Sequence, residues 1–133
     1  MSEQLLISCA LGSVLVDVEE ETTELTDDPL PERPPLTTGL PLVVDADASG
    51  SRVVCVVDRR PPLVISDDAG ATWRETGGGL PAGRAVAISP GHPDRIAFAT
   101  GARIHVSSDG GIFWRALAVE LPEITAVRWP SGE

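Results

Sequence analysis

Apolar residues in this chain fall into short alternating runs, and no run keeps a helical three-and-four spacing for long. The runs at 42–46 (LVVDA), 52–57 (RVVCVV) and 63–66 (LVIS) follow one another with only turn residues between them. A second trio, 85–89 (AVAIS), 95–100 (RIAFAT) and 103–107 (RIHVS), repeats that order. Alternation with a period of two puts every second side chain on one face, so each run predicts a half-buried strand. Gly and Pro are spread along the whole chain and punctuate many short elements. The pattern predicts an all-β protein.

The two trios end in the same signature. Ser66-Asp-Asp-Ala-Gly-Ala-Thr-Trp73 and Ser107-Ser-Asp-Gly-Gly-Ile-Phe-Trp114 stand one period of 41 residues apart and both read S-x-D-x-G-x-(T/F)-W. Asp68 and Asp109 are suited to cap backbone N–H groups of a tight turn, and Gly70 and Gly111 supply a positive φ. This repeat resembles the Asp-box of BNR-repeat β-propellers, a family that includes sialidases, sortilin-type receptors and photosystem assembly factors. The resemblance implies that each box joins the third and fourth strands of a four-stranded blade. It implies a structural role for Ser66, Asp68, Gly70, Thr72, Trp73, Ser107, Asp109, Gly111, Phe113 and Trp114.

On this frame residues 41–123 form two Asp-box blades, with short fourth strands beginning near Trp73 and Trp114. Residues 1–40 form a degenerate acidic first blade and its connection: 6–10 is a second strand, 14–16 a third, and 17–24 takes the box position. There Glu21 replaces the glycine and Glu24 the tryptophan. Residues 27–41, with five prolines, are a long connection. The last segment, 124–133, carries a blade-closing first strand at 124–130. The whole chain, 1–133, is then a single half-ring of about three blades. Propellers close with roughly four to eight blades. The expectation is a homodimer in which each C-terminal strand enters the partner's first blade, giving six blades; a companion propeller chain is the alternative.

Composition narrows the partners. The formal charge is -10, all ten basic residues are Arg, and residues 1–40 hold nine acids against Arg33 alone. Nucleic acid and anionic membrane surfaces are therefore disfavoured. There is no leader-like start and no apolar stretch of membrane-spanning length, so the expected location is cytoplasmic. Cys9 and Cys55 each sit inside a strand-like run, where a small buried thiol is expected.

No residue pattern announces catalysis. A sialidase would need a Tyr nucleophile, and the chain has no Tyr. A paired-carboxylate glycosidase would draw on Asp45, Asp47, Asp58 and Glu123, with their separation deciding the mechanism. His92 and His105 lack the spacing of a metal pair, and the glycines at 77–79 lack the G-K-[ST] of a phosphate loop. No cofactor and no metal is expected. In the propeller frame the loops opposite the boxes carry Arg59, Arg60, Arg84 and Arg103, and Arg grips carboxylates through two hydrogen bonds at once. The reading is a non-catalytic binding or scaffold protein whose arginine face takes a protein partner or a small anionic ligand. A glycoside hydrolase-like or sugar-binding lectin propeller is the alternative.

Overall fold

The computed structural model describes residues 3–33 and 36–130. The alternating runs become twelve strands and, among the described residues, no helix. In chain order they are β1 (Gln4–Cys9), β2 (Gly12–Asp17), β3 (Thr22–Thr26), β4 (Val43–Ser49), β5 (Arg52–Val57), β6 (Leu63–Ser66), β7 (Arg74–Thr76), β8 (Ala85–Ile88), β9 (Ile96–Ala99), β10 (Arg103–Ser107), β11 (Arg115–Glu120) and β12 (Ala126–Arg128). They form three antiparallel four-stranded sheets, ordered β12-β1-β2-β3, β4-β5-β6-β7 and β8-β9-β10-β11. These are propeller-like blades, designated blades 1, 2 and 3. Among the described residues no helix is long and apolar enough to cross a membrane.

The C-terminal strand closes the first blade from within its own chain. Leu6 pairs with Arg128, Ile7 with Val127 and Ser8 with Ala126. The sequence reading sends segment 124–130 to a neighbouring copy; in the single chain, residues 121–125 instead carry it back onto β1. Backbone bonds steer that return: Ala10 donates to the Pro122 carbonyl, Leu121 to Ala102, Ile124 to Gly101 and Thr125 to Ser8. The end of the proposed closing segment, 131–133, lies outside the described residues, as do 1–2 and 34–35 within the first segment.

Blade 3 is the middle of the arrangement because both of its faces are buried. Val86, Ile88, Ile96 and Phe98 pack against Val54, Val56, Leu63 and Ile65 of blade 2. The opposite face presents Ala85, Ala87, Ala97 and Ala99, with Ile104 and Leu117, to Leu5, Ile7, Val14, Val16, Val127 and Trp129 of blade 1. Four alanines on one wall let the larger side chains of blade 1 approach closely, so big and small residues interdigitate. Among the described residues no comparable strand contact joins blade 1 to blade 2. Leu40, at the far end of the connecting segment, packs against the outer core of blade 2 around Cys55, Val57 and Val64. Burial, followed by the nearby Asp45 charge, pushes the Cys55 thiol up to about 11, which makes it inert packing at neutral pH.

Trp129 is the largest side chain that β12's end brings to the interface of blades 1 and 3; it is 7% exposed, and its indole N–H donates to the Ala87 carbonyl at 3.1 Å. Trp129→Ala should lower unfolding free energy by about 3–5 kcal/mol, the range for an aromatic removed from a core. Chemical denaturation monitored by circular dichroism measures it.

Candidate functional site

The two Ser-Asp-Gly turns are built alike. Ser66 Oγ accepts from Gly70 N at 2.8 Å and donates to Asp68 Oδ1 at 2.7 Å, while Asp68 accepts from both the backbone N and the hydroxyl of Thr72. Ser107 and Asp109 repeat this with Gly111 N, Ile112 N and Phe113 N. Gly70 and Gly111 have φ of 95° and 92°, which only glycine adopts without strain. The turns differ at one position: Thr72 adds a hydroxyl bond, whereas Phe113 contributes only its backbone and its ring is 76% exposed. The Thr72 hydroxyl, then its backbone N–H, then Ser66 pull the Asp68 carboxyl down to about 2 from 3.8. The Phe113 N–H and the Ser107 hydroxyl lower Asp109 as well.

The arginine after each turn reaches the next blade. Arg74 donates to the Gly110 carbonyl of the blade 3 turn at 3.2 Å. Arg115 donates to the Val18 carbonyl at 2.8 Å and pairs with Glu21 at 3.0 Å on the degenerate turn of blade 1. Glu21 occupies the glycine position with φ of 57°, and its carboxylate also accepts the Ala118 N–H at 2.5 Å. The degenerate turn thus works by a different device, side-chain docking onto blade 3. Arg52 and Arg95, each at the head of a second strand, make equivalent bridges: Arg52 to Asp67 and Asp94, Arg95 to Glu3 and Glu19. All these residues hold blades together.

The four arginines of the opposite end do not form one cluster of free charges. Arg59 pairs with Glu75 at 2.7 Å and Arg103 with Glu120 at 2.5 Å, both exposed and so worth little to stability. Arg60, in the β5–β6 turn, and Arg84, beside Gly101 ahead of β8, have no carboxylate partner among the described residues. Asp58 and Glu123 are exposed turn residues there. His92 sits in the turn before β9, where its carbonyl accepts the Arg95 N–H. His105 lies mid-sheet at 5.8 Å from Phe98, its imidazole lowered by burial and then by Arg103. Among the described residues no three His, Cys, Asp or Glu side chains are placed to hold a metal ion. Residues 77–80 close as a turn, with Leu80 N donating to the Gly77 carbonyl.

A polar knot between the inner strands was not foreseen. β8 pairs with β9 along one edge only, leaving N–H and C=O groups on the other. Asp45 accepts Val86 N at 3.0 Å and Asp47 accepts Ile88 N at 2.7 Å. Arg33, arriving from the connection, donates to the Val86 carbonyl at 2.9 Å and pairs with Asp45 at 2.7 Å and Asp47 at 3.3 Å. Of the carboxylates weighed for catalysis, Asp45 and Asp47 are thus neighbours, and both are engaged in capping a strand edge. The available sequence signal was Arg33 itself, the single base in the acidic first forty residues. Nearby, Arg128 donates to the carbonyls of Pro31 at 3.0 Å and Val127 at 2.8 Å.

No family model matches this chain, and no curated protein matches it.

Asp45→Ala and Asp47→Ala should each cost about 1–3 kcal/mol, since each strands a half-buried backbone donor and weakens the hold on Arg33; urea unfolding tests this. Asp68 titrates lower in the fold than its ordinary 3.8, so its contribution is complete above that value and fades as pH falls toward about 2. The stability gap between the native chain and Asp68→Asn should therefore shrink across that window, read from thermal midpoints in buffers stepped through it.

Proposed function

We propose that this chain is a non-catalytic propeller unit of the Asp-box kind that recognises a carboxylate-bearing segment of a partner protein on the loop face opposite the box turns. The observation that carries the reading is the pair of exposed arginines on that face, Arg60 and Arg84, that have no carboxylate partner among the described residues, in a chain with twice as many acids as bases. Arg59 and Arg103 flank them with charges already answered by Glu75 and Glu120. Short turns on rigid blades suit recognition, because the strands fix the loops at little entropic cost. Against catalysis stands the engagement of Asp45 and Asp47, whose oxygens are taken up by backbone donors and Arg33.

The probe is an oligo-glutamate peptide in biolayer interferometry. Arg60→Glu with Arg84→Glu should weaken its capture at least about tenfold, and raising salt should weaken capture by the unmodified chain. The unfolding midpoint should stay within about 0.5 kcal/mol of the parent, as for other surface positions. Capture that ignores both substitutions would sink the proposal.

A further inference from the structure

A groove of about 330 Å³ opens where β4, β8 and β12 end, and it lies apart from the loop face. Strands alternate in direction within a blade, so β4 and β6 run the same way and Ser49 ends on the side of the box turn that follows Ser66. Arg128 and Trp129 line one part of the groove, Ile88 and Pro90 another, and Ser49 completes it.

Arg128 is the unusual group here. Its Nε and Nη1 are pinned on two main-chain carbonyls, which fixes the plane of the guanidinium, and no carboxylate pairs with it among the described residues. Its cationic neighbour Arg33 is already held by Asp45 and Asp47. Burial, then the Arg33 charge, lower the Arg128 guanidinium from its ordinary range, with Asp45 and Asp47 opposing. An arriving anion would offset that repulsion, and a fixed guanidinium plane matches a planar carboxylate. Glu32 and Asp47 also line the groove, and their charges repel a doubly charged anion more than a singly charged one. The remaining walls are Trp129, Ile88 and proline, which suit an apolar body, and the volume lies at the small-molecule end of ligand sites.

We propose that this groove binds a small carboxylic acid with an apolar body, its carboxylate on Arg128 and its body against Trp129 and Pro90. The site is independent of the loop-face reading, and either can fail without the other. The test titrates the full chain with phenylacetate, phenylacetamide and phenyl phosphate, following the Trp129 indole N–H by heteronuclear NMR. Phenylacetate should shift that resonance, and the neutral amide and the phosphate dianion should bind at least about tenfold more weakly. Arg128→Gln should remove the phenylacetate response while the Trp73 and Trp114 indole signals stay in place. Should that variant fail to fold, exposed Glu32→Gln serves instead: it removes a repelling charge and should tighten phenylacetate about twofold or more. Equal binding of acid and amide, a response that survives Arg128→Gln, or binding left unchanged or weakened by Glu32→Gln would overturn the assignment.

Discussion

The inner edge of β8 is the constraint on which the arrangement turns. A strand bonded on one side leaves a row of donors and acceptors, and each one stranded away from water costs free energy comparable to a lost hydrogen bond. In a propeller that row points toward the axis, where another strand does not fit. Here side chains do the pairing: Asp45 and Asp47 take two N–H groups, Arg33 takes the Val86 carbonyl and Trp129 takes that of Ala87. The partners come from three places: acceptors from blade 2, and donors from the connection and the C-terminal segment. Satisfying one edge therefore fixes blades 1 and 2 against blade 3, and draws the 27–41 connection inward past the inner strands.

Contacts between blades follow a repeated rule. The arginine after each Ser-Asp-Gly turn reaches the turn of the blade packed next to it, from Arg74 to Gly110 and from Arg115 to Val18 and Glu21. In the first blade the corresponding positions are Glu24 and Leu25, which offer no such reach. Leu25 is 67% exposed, and among the described residues blades 1 and 2 share no strand contact comparable to those each makes with blade 3. The long connection supplies part of the missing apolar cover through Leu40.

Much of the fold was legible because it is local. Alternation and the repeat located every strand but β3, which falls at the end of the segment read as the degenerate turn, and the Ser-Asp-Gly turns could be read because their hydrogen bonds join residues two to four apart. The candidate site was less legible because its interactions are long-range. Nothing near Arg33 in sequence says that it will meet Asp45 and Val86, and nothing near Arg59 or Arg103 says that Glu75 and Glu120 will answer them. Charge counts show how many partners exist, whereas pairing depends on which turns the blades bring side by side. Phe113 illustrates the limit even within a motif: its backbone N–H serves the turn as that of Thr72 does, but nothing in the local sequence says that its ring will be 76% exposed.

The pairing of β12 with β1 has a consequence for how the protein is made. Leu6 meets Arg128 from the opposite end of these three blades, so the first of the three to be synthesised is the last that can be finished. Until β12 leaves the ribosome, β1 has a bare inner edge, and Leu5, Ile7, Val14 and Val16 wait for blade 3 to cover them. Blades 2 and 3 have all their strands earlier and are free to dock first. Such separation makes closure slow relative to hairpin formation, and the nascent N-terminal blade is the stage at which a chaperone has the most exposed surface to hold.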